Sequence, residues 1–169
     1  FCRITRVSRE TITSLNKYEK ELIKANISTN LIGKSTIEEI WTRHFLDSAQ
    51  LIDFVDKNDK TLLDIGSGAG FPGLVLAIIL KDRKIPIKVK LIEKSSKKVE
   101  FLKKIIDELH LNVEIINKNI FEEPKKLSED VLVARAFKPL KIILELIHSQ
   151  ALNWKKIFPL TAKRSSQVF

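Results

Sequence analysis

The stretch that decides the fold runs from Asp64 to Gly73 and reads Asp64-Ile65-Gly66-Ser67-Gly68-Ala69-Gly70-Phe71-Pro72-Gly73. Four of the five glycines of the chain lie in it, so backbone freedom is concentrated in one short loop. The apolar residues before it, Thr61 to Ile65, predict a strand. Phe71 to Leu80 predict an almost entirely apolar helix with a proline in its first turn. Because ligands of open parallel sheets bind beyond the carboxyl ends of the strands, the loop is a candidate ligand site.

The sequence after the loop alternates strand and helix patterns. Strands are predicted over residues 88–93, 113–116 and 131–134, and helices over residues 97–109 and 140–147. This alternation predicts βαβ units, a mostly parallel sheet and right-handed crossovers with helices on both faces. The fold class is therefore α/β, doubly wound and Rossmann-like.

The sequence before the loop has helical periodicity. Ile12, Leu15, Tyr18 and Leu22 recur at three- and four-residue steps, and residues 36–39 have the form of a capping box that opens a second, short helix. We predict a single domain over residues 1–169, with an N-terminal helical part (1–58), an α/β core that contains the glycine loop and is the candidate cofactor-binding part (59–150), and an atypical tail (151–169).

Composition limits the classes of partner and environment. Lys and Arg total 30 against 21 Asp and Glu, a formal net charge of +9, which favours nucleic acid or an anionic membrane surface as partner. The single cysteine, Cys2, excludes an internal disulfide framework and makes the cytoplasm the default location. The longest apolar run, Leu74 to Leu80, is too short to span a bilayer. The first residues, without an initiator Met, predict a fragment or a trimmed start.

Glu93 is the predicted partner of the glycine loop. It ends the second strand, 23 residues after Gly70, where a carboxylate can accept hydrogen bonds from both hydroxyls of a ribose. Glycines under the ligand and an acid on the sugar together predict a nucleoside site.

Two nucleoside cofactors fit this pattern. Residues 68–73 match G-x-G-x-x-G, the dinucleotide fingerprint, so an NAD-dependent oxidoreductase stays open as an alternative. Three features favour S-adenosylmethionine. Asp64 precedes the first glycine by two residues and can meet the amino acid end of the ligand; Gly66, Gly68 and Gly70 alternate; and about sixty residues of helical sequence precede the strand.

The remaining side chains limit which kinds of atom could accept a methyl group. Methylation at pyrimidine C5 needs a catalytic cysteine, and Cys2 is a poor candidate; the Asn/Asp-Pro-Pro-aromatic turn of exocyclic-amine methyltransferases is absent from the sequence. A ring nitrogen such as guanine N7 has a free lone pair and needs no base. The three histidines and the single cysteine form no pattern of metal ligands.

Five basic residues are candidates for contacts at the cleft: Arg43, His44, Lys94 and Lys97 on the substrate side, and Arg135 at its mouth. His44 lies beside Arg43 and before Asp47, which suits either an RNA contact or a hydrogen-bonded helix junction. Lys94 and Lys97 belong to a basic run after the second strand. Arg135 follows a buried strand, at the expected mouth of the cleft, where it can face the cofactor or an RNA phosphate.

These residues resemble those of a known family, the ribosomal RNA small subunit methyltransferase G family, also called glucose-inhibited division protein B. The resemblance runs from about Asn16 to Ile147. Its specific segments are Asn30-Leu31-Ile32, Arg43-His44-Phe45-Leu46-Asp47-Ser48, Asp64 through Gly73, and Arg135-Ala136-Phe137.

The resemblance implies a class I S-adenosylmethionine-dependent methyltransferase that acts on N7 of a guanine in 16S ribosomal RNA. It also implies a cytoplasmic, mainly monomeric enzyme, with small-subunit ribosomal RNA or the 30S subunit as partner and no membrane. The family's cofactor contacts correspond to Gly66, Phe71, Ile120, Phe121 and Arg135, and its ribose-binding acid corresponds to Glu93. Phe121 stands where the family often has Glu, so we expect backbone contacts or adenine packing there.

The C-terminal residues depart from the family pattern. After Phe158 the family continues into a strand, a Gly-Lys turn and a closing hairpin, whereas this chain reads Pro159-Leu160-Thr161-Ala162-Lys163-Arg164-Ser165-Ser166-Gln167-Val168-Phe169. Because Pro159 is unfavourable in a central strand, we expect incomplete C-terminal strands and an exposed sheet edge. A catalytically impaired, RNA-binding remnant of the family is therefore the second hypothesis.

Overall fold

The fold is known from a computed structural model, which describes residues 1, 5–122, 127–135, 138–150 and 154–160. Its sheet has five strands in this part of the chain, paired in the order β3-β2-β1-β4-β5 and parallel at every pairing. The strands are β1 (Thr61–Ile65), β2 (Lys88–Ile92), β3 (Val113–Ile116), β4 (Val131–Arg135) and β5 (Lys156–Leu160).

Four helices accompany the strands: α1 (Arg9–Thr29), α2 (Gly73–Asp82), α3 (Ser96–Glu108) and α4 (Leu140–Gln150). Helix α1 begins where the Ser8 hydroxyl accepts a hydrogen bond from Thr11 N (3.1 Å), and it ends at Asn30, which has the left-handed conformation common after helices. None of the helices in the described part of the chain is long and apolar enough to cross a membrane.

The segment between α1 and β1 differs from the prediction. It forms a 3-10 turn (Lys34–Thr36), a π-helical stretch (Trp41–Leu46), one α turn (Asp47–Ala49) and a second 3-10 stretch (Gln50–Phe54). The predicted capping box is wrong, because the Thr36 hydroxyl donates back to the Gly33 carbonyl (2.8 Å) instead of capping a following turn.

The topology confirms the predicted doubly wound α/β fold. Helices α2 and α3 connect β1 to β2 and β2 to β3 and pack on one face, while α4 connects β4 to β5 and packs on the other. Crossovers of one handedness that step in opposite directions require helices on opposite faces. The direction reverses between β1 and β4, and the carboxyl ends there form the expected ligand crevice.

Both faces of the central strands β1 and β4 are buried, in agreement with their almost continuous apolar character. Leu62, Val89 and Val131 pack on the side of α1, α2 and α3, and their neighbours Leu63 and Leu132 pack on the side of α4. Since α1 shares its core with the sheet, the N-terminal helical part and the α/β part bury one another.

Strand β5 lies at an edge of the described sheet, in agreement with the expectation that Pro159 does not belong to a central strand. The strand runs through Pro159, which lies opposite Ala134 of β4. Among the described residues β5 is an edge strand, and a proline is tolerated at an edge because one side of the strand has no ladder to join. The prediction for residues 161–169 lies outside the described residues, as does the Ala136-Phe137 part of the family segment.

Lysines anchor the start of β5 to acidic residues that precede β1 and β4. Lys156 Nζ lies 3.0 Å from both Asp56 Oδ2 and Asp59 Oδ2, and Lys155 Nζ lies 2.8 Å from Asp130 Oδ1. The Asp59 side chain is almost fully buried, so the lysine beside it compensates a carboxylate that water cannot reach.

Candidate functional site

A cleft of about 380 Å³ opens beyond the carboxyl ends of the central strands. Its walls come from the glycine loop, the end of β2, the residues after β3, the end of β4 and the residues after α1. This volume is within the range of small-molecule and cofactor sites. The cleft lies where the doubly wound topology predicts a ligand.

The first half of the glycine loop faces the cleft. Its turn is fixed by the Gly66 and Ser67 N–H groups, which both donate to the Ile92 carbonyl (2.9 and 3.0 Å). Gly66 and Gly68 have positive φ angles of 72° and 58°. A Cβ at Gly68 would find its nearest heavy atom 3.9 Å away, so the backbone there borders open space that a ligand can occupy.

The second half of the loop is used for packing. A Cβ at Gly70, where φ is 99°, would lie 2.6 Å from Tyr18 Oη and 2.6 Å from Leu74 Cδ1. A Cβ at Gly73 would lie 2.7 Å from Asp64 Oδ2. Gly70 therefore permits close approach of helices α1 and α2, and Gly73 permits close approach of α2 to strands β1 and β2, rather than of a ligand. Gly70 is not among the residues that line the cleft.

Glu93 joins the loop to the cleft. Its Oε2 accepts from the Gly68 N–H (2.9 Å) and its Oε1 accepts from the Ser95 N–H (2.8 Å). The residue is 7% exposed and lines the cleft. Each carboxylate oxygen has a second lone pair, so Glu93 can still accept from two ribose hydroxyls. The structure thus brings the Glu93 carboxylate and the glycine loop together, as predicted from the sequence.

Asp64 lies beneath the loop and is not among the residues that line the cleft. Its Oδ2 accepts from the Gly73 N–H (2.8 Å) at the start of α2, while its Oδ1 is buried and has no hydrogen-bond partner. Burial raises the pKa of Asp64 to about 7, and the hydrogen bond from the Gly73 N–H opposes this shift. The predicted contact of Asp64 with the cofactor stays a prediction.

Phe71 lines the cleft and is the centre of an aromatic stack. The Tyr18 ring packs on it at 5.5 Å between centroids, with 19° between the planes, and the His44 ring packs on it at 4.9 Å and 20°. The guanidinium carbon of Arg135 lies 4.8 Å from the centroid of the Phe71 ring, within the range of a cation–π contact. Phe71 is thus contacted from α1, from the π-helical stretch and from the end of β4.

Arg135 reaches back across the cleft wall to the N-terminal helical part. One of its terminal nitrogens, Nη1, donates to the Arg43 carbonyl (2.9 Å), and Nη2 lies 2.7 Å from His44 Nδ1. Burial lowers the pKa of the Arg135 guanidinium, while Tyr18, Asp64 and Asp47 raise it. The side chains of Arg135 and His44 both line the cleft.

The other candidates for the substrate side differ in whether they line the cleft. Lys94 lines the cleft and Lys97 does not. Arg43 also lies outside the lining residues, where its Nε forms an ion pair with Glu39 Oε2 (2.7 Å). Lys138, three residues after β4, also lines the cleft and was not predicted from the sequence. Its position close to Arg135, after a predicted strand, was the signal that could have identified it.

Ile120 and Phe121, in the segment after β3, lie in different environments. Ile120 is 4% exposed and lines the cleft, whereas Phe121 is 41% exposed and lies outside the lining. The Phe121 N–H donates to Asn119 Oδ1 (3.2 Å). Leu31 and Ile32, which follow α1 and belong to one of the family-specific segments, form an apolar wall of the cleft. In the described part of the chain, no group of His, Cys, Asp and Glu side chains could hold a metal ion.

A family profile described as rRNA small subunit methyltransferase G matches residues 11–167. The chain belongs to this family. It is 42% identical over 164 residues to the ribosomal RNA small subunit methyltransferase G of Pelagibacter ubique, covering 96% of this chain and 76% of the relative. It is 41% identical over 138 residues to the protein of the same name from Paramagnetospirillum magneticum, covering 82% of this chain and 64% of that relative. The predicted family is thereby confirmed, and with it the class, an S-adenosylmethionine-dependent methyltransferase.

Solved structures agree on the fold. A putative S-adenosyl-L-methionine-dependent methyltransferase from Methanococcus maripaludis matches with a TM-score of 0.58 at 17% identity, over 85% of this chain and 63% of that one. A methyltransferase from Thiobacillus denitrificans, solved with S-adenosyl-L-homocysteine, matches with a TM-score of 0.53 at 20% identity, over 76% and 55%. At these identities the likeness concerns the fold, and it confirms the predicted class I architecture.

The cleft also fits S-adenosylmethionine by its own geometry. Gly68 leaves room for the ligand against the backbone, and the Glu93 carboxylate lies at hydrogen-bond distance from that same glycine. Arg135 supplies a cation that can meet the carboxylate of an amino acid. Buried Ile120 supplies an apolar surface suited to a purine.

Proposed function

We propose that this chain transfers the methyl group of S-adenosylmethionine to N7 of a guanine in small-subunit ribosomal RNA. The observation that carries the proposal is the contact between Glu93 and Gly68 at the floor of a cleft, in a chain of this family. When bound, the cofactor supplies a methyl group whose bond to sulfur breaks, with its electron pair passing to sulfur, as N7 forms the new bond. The acceptor lone pair is free, so no protein base is required.

The protein's own part in this reaction is binding and orientation. Glu93 holds the ribose, the backbone of Gly66 and Gly68 borders the ligand, and Arg135 meets an anionic group. Much of the rate enhancement of such a transfer comes from holding the two reactants in line.

The proposed contact with RNA is electrostatic. Lys94, Lys98 and Lys138 line the cleft, and the chain carries a net charge of +9. Lysines around a cleft attract and orient a phosphate backbone while leaving base recognition to other groups. Lys97 and Arg43, which lie outside the lining, stay as predicted contacts with more distant phosphates.

Cofactor binding is the first test. Calorimetry with S-adenosylmethionine should show binding to the wild-type chain and severe weakening by Gly66→Arg and Glu93→Ala. Glu100→Ala, an exposed acid on α3, is the matched control and should bind like wild type. A folded wild-type chain without detectable binding would contradict the proposal.

Methyl transfer is the second test, and it separates the alternatives. The chain is incubated with labelled methyl donor and small subunits that lack the modification, or with naked 16S RNA, and the labelled base is mapped by mass spectrometry. Label at a guanine N7 supports the proposal and rejects the non-catalytic remnant. Cofactor binding without transfer to either substrate favours the remnant. Enhanced NADH fluorescence that S-adenosylmethionine does not compete away would favour the oxidoreductase.

The proposal also covers the cellular location, the macromolecular partner and the oligomeric state. A small-subunit RNA substrate implies a cytoplasmic location, and the assembled 30S subunit is the proposed partner. We expect a monomer in solution, which sedimentation at several protein concentrations can check.

A further inference from the structure

The environment of Arg135 is unusual for a cation at a cleft. Within the described residues Arg135 makes no ion pair with a carboxylate. Its hydrogen-bond partners are the Arg43 carbonyl and the His44 ring, and its remaining contact is the face of Phe71. All three partners are neutral, so they fix the position of the guanidinium without cancelling its charge. The carboxyl groups of Asp47 and Asp64 act on Arg135 only through space, so no direct ion pair competes with an anion in the cleft.

The hydrogen bonds around His44 determine where its ring proton lies. The Thr36 hydroxyl donates its only proton to the Gly33 carbonyl (2.8 Å). The contact of 3.0 Å between Thr36 Oγ1 and His44 Nε2 must then have Nε2–H as donor. This leaves Nδ1 as the acceptor for the Arg135 guanidinium at 2.7 Å.

A charged His44 would not fit this arrangement. A proton on Nδ1 would place two donors and two cations face to face at 2.7 Å. In agreement, burial, Arg135 and Arg43 together lower the pKa of His44 to about 4. The ring is 8% exposed and both nitrogens are engaged, so neither is available for RNA in this conformation.

We propose that His44 is a positioning residue, whose neutral ring, oriented by Thr36, holds the Arg135 guanidinium over Phe71 at the wall of the cleft. It replaces the predicted RNA contact of His44 with a role that acts through Arg135. The consequence for ligand binding depends on the proposed function, because it assumes that Arg135 meets an anionic group of the cofactor. The hydrogen-bond chain from Gly33 through Thr36 and His44 to Arg135 does not depend on it.

The first experiment measures cofactor affinity in paired variants. His44→Phe keeps a ring against Phe71 but removes both hydrogen bonds, and it should weaken S-adenosylmethionine binding about tenfold, the usual effect of losing a hydrogen bond to a charged group. His44→Gln can still accept from Arg135 and donate to Thr36, so it should recover most of the affinity. In an Arg135→Ala background, His44→Phe should have no further effect. Additive losses in that cycle would overturn the proposal.

Activity separates this role from a direct contact with RNA. If His44 acts through Arg135, His44→Phe raises the KM for the methyl donor and leaves the KM for RNA unchanged. A raised KM for RNA with normal affinity for the donor would overturn the proposal and restore the RNA contact. Thermal unfolding of each variant shows whether a loss of affinity comes from a loss of folded protein.

The second experiment needs no cofactor and so distinguishes failure of this inference from failure of the proposed function. Nitrogen-15 NMR of histidine-labelled protein reports the protonation of each ring nitrogen. We expect His44 to stay neutral with its proton on Nε2 from pH 7 down to about pH 5, and Thr36→Val to reduce the share of that tautomer. A ring that is protonated at pH 5, or that carries its proton on Nδ1, would overturn the proposal whether or not the chain binds the donor.

Discussion

The Tyr18 hydroxyl of helix α1 donates a hydrogen bond to the Ala69 carbonyl in the middle of the glycine loop. Both groups are buried, and the Tyr18 ring stacks on Phe71 at the end of the same loop. Burial raises the pKa of the Tyr18 phenol well above its ordinary value, so the hydroxyl keeps the proton that it donates. The N-terminal helix is therefore a structural support of the candidate cofactor site.

Tyr18→Phe should destabilise the chain and weaken cofactor binding. The ring and its stacking stay, but the buried Ala69 carbonyl loses its partner, which costs about 1–3 kcal/mol. Tyr18→Leu, which also removes the ring, should cost more. Chemical denaturation and calorimetry measure the two effects, and a Tyr18→Phe variant with wild-type stability and affinity would contradict the role given to this hydrogen bond.

Alanine substitutions at Gly68 and Gly70 should have opposite profiles. At Gly70 the new Cβ would overlap Tyr18 Oη and Leu74, so the folded state should lose several kcal/mol of stability, about what overpacking and a strained φ cost together. At Gly68 the space is open, so Gly68→Ala should cost only about 1–2 kcal/mol of strain while obstructing the ligand. Comparison of urea midpoints with cofactor affinities checks this division. Equal loss of stability in both variants would argue against it.

Asp64→Asn should change how stability depends on pH. The folded chain holds a proton on Asp64 up to about pH 7, whereas the unfolded chain releases it near pH 3.8. The free energy of unfolding therefore falls as pH rises through this window, by at most about 1.4 kcal/mol per pH unit from this group. Asparagine cannot ionise, so the free energy of unfolding of the variant should rise relative to that of wild type between pH 4.5 and pH 7. Denaturation at several pH values tests this, and parallel curves for the two proteins would refute it.

Lys156→Met should loosen strand β5. The substitution removes the closer cation from buried Asp59, and we expect a loss of about 1–3 kcal/mol, because a buried carboxylate loses compensation while Lys155 stays 3.7 Å away. Hydrogen exchange should accelerate first at the amides of β5. Lys141→Met is the matched control: its ion pair with Glu145 is exposed and 4.0 Å long, so its removal should cost less than about 0.5 kcal/mol. An equal effect of the two substitutions would count against the anchoring role of Lys156.

The parts of the fold that were predictable depend on local pattern. Strand β1, the apolar helix α2 and the sheet class follow from runs and periods that neighbouring residues define by themselves. The pairing of Glu93 with the glycine loop was predictable too, because the topology brings the ends of β1 and β2 together.

The unpredicted parts depend on contacts between distant residues. Gly70 faces Tyr18 rather than the cleft, and Tyr18 and Ala69 are 51 positions apart. Arg135 and His44 are 91 positions apart, and no local period reports their contact. Pro159 was interpreted correctly as unsuited to a central strand, but its position at the edge could be known only once the strand order was known.

The position of β4 in the sheet has a consequence for how the chain is made. Strand β4 pairs with β1, although some seventy residues separate them. An interior position of the sheet is therefore occupied by one of the later strands to be synthesised. On the ribosome, the growing chain carries β1, β2 and β3 with one side of β1 still lacking its partner, which is the kind of open edge that invites wrong pairing. The sheet is therefore complete only when residues 131–135 are present, and the same residues supply the wall of the cleft that contains Arg135.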